Sequence, residues 1–306
     1  MRIAILGMGA MGSVYAGLLA AAGLDVWGVD IWADHVEAIR RDGLRVSGAS
    51  GEKTVRLNAT TKAQDVGKAD LVIIATKANG VEAAARAAKD ILAPDGVVLT
   101  IQNGLGSAER VADIVGSERV LIGVVGGFGA SVPAPGQVHH NGWEFVRLGE
   151  YDGGVTPRLE AVGQVWEKGG FKVLIFPDIH KMVWEKFICN VAFSGTCAVL
   201  GRTIGEVLAD PDASSVSFAC ATEAYAVARA LGIAVEIDDP VAYVRAFGEK
   251  IPHARPSLLL DHMAKRRSEI DVINGAVPRE AAKVGLTAPV NTTIVALARA
   301  REATFG

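Results

Sequence analysis

A short apolar run at 3–6 leads into Gly7, Gly9 and Gly12, spaced as G-x-G-x-x-G; an alanine-rich stretch and a second apolar run ending in Asp30 follow. Few folds accommodate that order. Gly7 permits a tight strand-to-helix turn, Gly9 lets backbone approach a pyrophosphate, and Gly12 lets the helix lie close to the strand. A helix starting there aims unpaired N–H groups and its positive dipole end at phosphates. The pattern predicts a dinucleotide site made by Gly7, Met8, Gly9, Ala10, Met11, Gly12 and Asp30. A secretory leader is the competing reading. It would have only Arg2 ahead of an interrupted apolar run, and it leaves the glycine spacing unexplained.

Strand and helix signals keep alternating through the first half. Strands are predicted over 2–6, 25–29, 70–75, 96–101, 119–124 and 171–176, and helices over 10–22, 33–42, 80–93, 106–115 and 155–169. Shorter strands are expected at 44–48, 54–59 and 137–149. From Asp178 the pattern turns helical, over 180–200, 211–231, 240–247, 257–274, 279–284 and 291–304. The fold class is therefore α/β: an N-terminal doubly wound parallel sheet over 1–177, then an all-α C-terminal domain over 178–306. Ligands of doubly wound sheets bind outside the carboxyl ends of the strands, where strand order reverses.

Composition removes several function classes. The 306 residues are half hydrophobic, yet no run of eighteen uninterrupted apolar residues predicts a membrane span. A net charge of −3 with mixed signs gives no basic stripe for nucleic acid. Cys189, Cys197 and Cys220 lack metal or redox spacing and cannot all pair, which fits a reducing cytoplasm. His139 and His140 are adjacent in an expected strand and point to opposite faces, so no metal is assigned.

Asp30, at the end of the second strand, has the place of the acid that binds the ribose 2′-hydroxyl of NAD and repels the 2′-phosphate of NADP. As a structural residue it would simply cap the next helix. Lys77, after the strand at 70–75, is the one cation expected near a phosphate. NAD is favoured, with NADP possible.

Lys186, Asn190 and Ser194 recur at i, i+4 and i+8, a polar stripe on a helix otherwise built of Val183, Trp184, Phe187, Ile188, Val191 and Phe193. Such a stripe must find partners or water, as a structural network or as the wall of a wet cleft. A lysine that loses hydration there moves toward the range useful for proton transfer, whereas a snorkelling lysine would only cover apolar surface. Ser257 and Glu269 would share one face of a continuous helix over 257–274, although charge runs such as Lys265, Arg266 and Arg267 usually mark a solvated face. Asn103 follows the strand at 96–101 and is either a site residue or a turn residue before Gly104. Phe128, Trp143 and Phe247 are candidates for shaping a substrate's side-chain pocket.

Together these pieces resemble the ketopantoate reductase family over nearly the whole chain. The matching marks are the glycine turn, Thr76-Lys77-Ala78, Gln102-Asn103-Gly104, Pro135-Gly136 with Val138 and His139, Trp184-Glu185-Lys186 with Asn190, and Ser257 with Arg267, Glu269, Ile270, Asp271 and Asn274-Gly275. The resemblance implies a Rossmann domain and an all-helical substrate and dimerisation domain. It implies reduction of a small branched 2-oxo acid to an (R)-2-hydroxy acid, as in the 2-dehydropantoate 2-reductase step of pantothenate biosynthesis. Carried over, Lys186 would be the general acid and Glu269 would hold and tune it. Asn103 would orient the nicotinamide and substrate, while Asn190, Ser194 and Ser257 would bind substrate. The family commonly has asparagine where Ser194 stands, an NADP-binding arginine where Ile31 stands, and often a glutamine at the place of Gly80. Two other readings stay open: an NAD-dependent (R)-2-hydroxy acid dehydrogenase for a different branched or aromatic acid, and a non-catalytic dinucleotide sensor. The apolar surface of the helical domain also suits a homodimer.

Overall fold

Ile3 and Ile5 face one side of their strand, Ala4 and Leu6 the other, and all four are buried. The same alternation separates Leu71 and Ile73 from Val72 and Ile74. A strand buried on both faces needs a covered sheet, and the helical connections supply the cover. In this computed structural model residues 1–127, 129–142 and 145–305 are described. Phe128 and Trp143, expected to shape a substrate pocket, lie outside them.

Two compact units arise, one from Met1–Gln102 with Ser107–Ile179, the other from Asn103–Gly106 with His180–Gly306. The first contains β1 (Arg2–Leu6), α1 (Ala10–Ala21), β2 (Asp25–Val29), α2 (Ala33–Asp42), β3 (Leu44–Gly48), β4 (Lys53–Val55), β5 (Asn58–Thr60), β6 (Ala69–Ile74), α3 (Val81–Ile91), β7 (Leu92–Thr100), α4 (Ser107–Val115), β8 (Val120–Val125), β9 (Ala130–Ser131), β10 (Gln137–His140), β11 (Phe145–Glu150), α5 (Pro157–Lys168) and β12 (Lys172–Ile175). Its main sheet runs β5-β2-β1-β6-β7-β8-β11-β12, with order reversing between β1 and β6. Neighbours are parallel except β8 and β11, which pair antiparallel, so the expected parallel sheet carries one reversed step. The cause is the connection: β8 and β11 are joined without a crossover helix, through the segment carrying β9 and β10. A second sheet, β4-β3-β10-β9, covers α1. Tyr15 of α1 packs edge-on against Trp166 of α5, their centroids 4.9 Å apart, and both rings are buried.

The second unit is built from α6 (Ile179–Leu200), α7 (Ile204–Ala209), α8 (Pro211–Ala230), α9 (Pro240–Lys250), α10 (Ser257–Met263), α11 (Ala276–Lys283) and α12 (Pro289–Glu302). Its starts are well marked: Asp210 and Asp239 each accept two backbone N–H bonds ahead of a proline, and Thr203 forms a capping box with Glu206.

The expected continuous helix over 257–274 does not form. After α10 the chain reverses at Lys265, which takes φ +50°, and only a 3-10 turn at Ile270–Val272 follows. Asp261 drives this reversal: its carbonyl accepts the Arg266 N–H at 2.8 Å and its carboxylate takes the Arg266 guanidinium. The strand expected at 54–59 splits into β4 and β5, and that at 137–149 into β10 and β11. Helix α7 was too short for a periodic signal.

Candidate functional site

The glycine turn follows β1. Gly7 has φ +101°, and a Cβ on it would lie 2.7 Å from the Thr76 backbone nitrogen. A Cβ on Gly12 would lie 1.8 Å from the Gly7 carbonyl oxygen, so only glycine lets α1 start this close to the strand. Gly9 differs. Its φ is −63°, and a Cβ built there would meet nothing within 4 Å beyond its own chain neighbours. Neither conformation nor packing demands glycine at this exposed position, the residue ahead of α1, which starts without a side-chain cap.

Beside the turn lies a cavity of about 410 Å³ whose walls include Gly7, Asp30, Ile31, Lys62, Thr76 and Gly80. The Asp30 carboxylate spans two loops, accepting the Met8 N–H at 2.5 Å and the Trp32 N–H at 2.9 Å. Asp30 is therefore more than a helix cap: it ties the end of β2 to the glycine turn. Lys77 is exposed just past β6. The cation in the wall beside Asp30 is Lys62, which sequence reasoning missed because β5 is too short and polar to announce a sheet strand. Knowing that β5 ends at Thr60 beside β2 would have pointed to it. Gln102 closes the far strand ends: its Nε2 donates to the Ile74 and Thr76 carbonyls at 2.6 and 3.2 Å, and its Oε1 accepts from Thr100.

In the helical unit the polar stripe of α6 is real. Lys186 and Asn190 are half-buried and Ser194 is buried, amid Trp184, Phe187, Ile188, Val191 and Phe193. Lys186 Nζ donates to Asn103 Oδ1 at 2.8 Å, a partnership the sequence did not suggest. An ammonium can only donate, so this bond fixes the orientation of the Asn103 amide. Asn103 belongs to the segment Asn103–Gly106, which the second unit incorporates. The Leu105 N–H donates to the Val272 carbonyl at 2.9 Å, and Arg279 Nη2 donates to the Leu105 carbonyl at 3.2 Å. Gly104 has φ +80°, and a Cβ on it would come within 2.1 Å of the Val272 oxygen. A Gly104→Ala variant should lose about 1–3 kcal/mol of stability and, by shifting Asn103, lose kcat more than dinucleotide affinity. Thermal unfolding and steady-state kinetics check this; an unchanged kcat would separate Asn103 from the chemistry.

Glu269 is half-buried, with its backbone carbonyl accepting from Val272 and Ile273, and Ser257 is exposed as the first residue of α10. The reversal at Lys265 removes the single helical face expected to align them. Sequence reasoning also missed a buried network behind the stripe. Asn274 Nδ2 donates to the Val191 carbonyl and to Asn291 Oδ1, each at 2.9 Å, and Asn291 Nδ2 donates to Glu223 at 2.8 Å. Packing of Gly195 closes it, since a Cβ there would lie 2.4 Å from Ile294 Cγ2. The three cysteine thiols are buried and pushed up to about 12 by that burial, so none is a nucleophile at neutral pH. No helix among the described residues is long and apolar enough to cross a membrane.

Comparison with known proteins places this geometry in a family. The family model described as ketopantoate reductase PanE/ApbA matches residues 3–153, and its C-terminal counterpart matches residues 178–302. A 2-dehydropantoate 2-reductase of Pyrococcus horikoshii is 32% identical over 306 residues, covering 100% of this chain and 99% of the relative. One from Halobacterium salinarum is 31% identical, covering 98% of each chain. Among solved structures, a PanE/ApbA family ketopantoate reductase from Ralstonia eutropha superposes with a TM-score of 0.91 at 30% identity, covering 100% and 99% of the two chains. A D-mandelate dehydrogenase in ternary complex with NADH and anilino(oxo)acetate gives 0.89 at 27%, with the same coverage. The chain belongs to the ketopantoate reductase family of oxidoreductases.

Proposed function

We propose that the protein reduces the ketone of a small branched 2-oxo acid to the (R)-2-hydroxy acid with a nicotinamide dinucleotide, as a 2-dehydropantoate 2-reductase does. The observation that carries this reading is Lys186, half-buried on an apolar helix and held by Asn103 in line with Asn190 and Ser194. Gly9 tests whether a dinucleotide fits. Its absent side chain serves no contact or backbone strain within the protein, so the glycine is explained by a ligand that approaches the backbone there. The turn residues Gly7 to Gly12 would hold the pyrophosphate and Asp30 the ribose. A dihydronicotinamide bound there would supply the hydride for the carbonyl carbon.

Lys186 donates a proton to the ketone oxygen, where negative charge grows as the carbon is reduced, and so stabilises the transition state more than the ketone. The Asn103 bond limits the rotamers open to the ammonium, which keeps the donor oriented. Asn190 and Ser194 continue the polar face along the helix for the substrate's carboxylate or hydroxyl, with Glu269 and Ser257 as further contacts of the same site. Serine at 194 is a shorter donor than asparagine and so alters how those oxygens are held.

Asp30 favours NADH, because its carboxylate would repel a 2′-phosphate at close range. Lys62 in the same wall supports the second reading, NADPH. The ratio of kcat/KM for NADH and NADPH decides between them. Asp30→Ala is expected to shift that ratio toward NADPH by about tenfold or more, the worth of one lost charge repulsion of roughly 1.4 kcal/mol. A wild-type enzyme that strongly prefers NADPH would overturn the NADH reading.

The likeness to a D-mandelate dehydrogenase, together with Asp30, supports a second substrate reading, an NAD-dependent dehydrogenase of another branched or aromatic (R)-2-hydroxy acid. A panel of 2-oxo acids assayed with both dinucleotides separates the two, and 2-dehydropantoate ahead by a wide margin would dismiss the second. Substrate-dependent NADH oxidation above that of a Lys186→Ala control would dismiss a non-catalytic sensor.

A further inference from the structure

The Pro135-Gly136 element and the buried histidine of α2 have no part in the chemistry above, yet they meet at the glycine turn. The Gly136 N–H donates to His35 Nδ1 at 3.0 Å, His35 Nε2 lies 3.1 Å from Ser13 Oγ, and Ser13 Oγ donates to the Met8 carbonyl at 2.8 Å. His35, Ser13 and Met8 are all fully buried. A backbone N–H can only donate, so Nδ1 is an acceptor and the neutral ring carries its proton on Nε2. Nε2–H then donates to Ser13, whose own hydroxyl proton goes to Met8. One backbone amide thereby sets the direction of the whole chain of bonds. Met8 sits between Gly7 and Gly9, and Asp30 takes its N–H while Ser13 takes its carbonyl, so the turn is gripped from both sides.

We propose that His35 and Ser13 are positioning residues for dinucleotide binding, and that protonation of His35 releases the turn and weakens affinity for the dinucleotide. A second proton on the ring would sit on Nδ1, facing the Gly136 N–H, donor against donor. The ring cannot retreat. The Trp32 ring stacks on it at 4.9 Å and 16°, and a Cβ on Gly136 would already lie 2.9 Å from Ala38 Cβ. Elements around the ring offer little to stabilise a charge. Helix α1 contributes Ser13, the turn before β10 contributes backbone, β5 carries no charged residue, and α2 itself has Asp34 and Glu37 on its exposed side. Asp30 is the one carboxylate that raises His35, and burial outweighs it, so the ring titrates below the ordinary histidine range. The neutral form is therefore favoured in the folded protein. Its contribution is complete above about pH 6.5 and is lost as pH falls through the lowered value.

The inference rests on the dinucleotide reading, and one titration keeps the two apart. NADH and NADPH are titrated into the protein by fluorescence from pH 7.5 to 5. If wild type binds neither at pH 7.5, the dinucleotide reading itself fails and this inference with it. If it binds, Kd should rise as pH falls through the lowered His35 value, below the ordinary histidine range. Ser13→Ala should raise Kd at pH 7.5 by about fivefold to a hundredfold, leave kcat at saturating dinucleotide within about twofold, and flatten the acid rise. His35→Gln offers an acceptor and a donor without titrating; it should stay near wild-type affinity at neutral pH and lose the acid rise. The proposal is overturned if Ser13→Ala binds as tightly as wild type, or if the acid rise persists in either variant.

Discussion

Replacing Lys186 with alanine is expected to lower kcat by about two to four orders of magnitude, the usual worth of a positioned acid, with dinucleotide Kd changed by less than about threefold. The split matters, because Lys186 is bonded to Asn103 within the helical unit, whereas the glycine turn belongs to the sheet unit. Lys186→Met keeps the apolar stem and removes the donor, so it should resemble alanine in kcat while retaining more stability. Arginine is no conservative substitute: its planar fork does not reproduce a point donor and its proton is not given up. The measurement is single-turnover reduction of a 2-oxo acid at saturating dinucleotide. A rate within threefold of wild type in the alanine variant would falsify the assignment of Lys186 as acid.

A comparable loss on the binding side is expected from Gly12→Ala. The added carbon would lie 1.8 Å from the Gly7 carbonyl oxygen, and both partners are backbone, so neither can turn aside. Overpacking should cost about 1–3 kcal/mol or more of stability and lower the Tm; because the strain falls on the turn itself, dinucleotide affinity should fall as well, by about fivefold or more. Gly9→Ala is the informative contrast. With nothing beyond its chain neighbours within 4 Å of the new carbon and φ −63°, the protein without ligand should melt as wild type does. On the proposed reading its affinity for the dinucleotide should nevertheless fall, because the methyl group would stand in the approach of the pyrophosphate. Melting curves with and without dinucleotide separate the cases. Unchanged ligand-induced stabilisation in Gly9→Ala would remove that residue from the binding surface.

Much of the fold was legible because hydrophobic period reports local structure directly. The strands β1, β2 and β6 and the helices α1, α2 and α6 fall within a residue or so of where alternation and helical spacing put them. What the sequence left dark depends on side-chain contacts and chain paths that periodicity does not encode. Asp261 and Arg266 end α10 through a contact that mimics nothing in the helical pattern. The antiparallel pairing of β11 with β8 follows from a long connection whose path no periodicity records. The site divides in the same way. Lys186, Asn190 and Ser194 were legible as one helical face, whereas the partner of Lys186, the wall position of Lys62 and the Asn274–Asn291–Glu223 network join residues far apart in sequence. Asn103 was read as a nicotinamide-facing residue because it follows a strand, and its bond to the lysine could be found only in three dimensions.

The short segment Asn103–Gly106 is spliced into the helical unit although its covalent neighbours on both sides, Gln102 and Ser107, belong to the sheet unit. A gene cut at the obvious seam before His180 would consequently express a fragment lacking an internal piece of itself, with the Val272 carbonyl and the Lys186 ammonium stripped of Leu105 and Asn103. Such a fragment should be prone to aggregation or proteolysis. Recombination among relatives would have to exchange both stretches together, so shuffling by simple fusion is closed to this architecture.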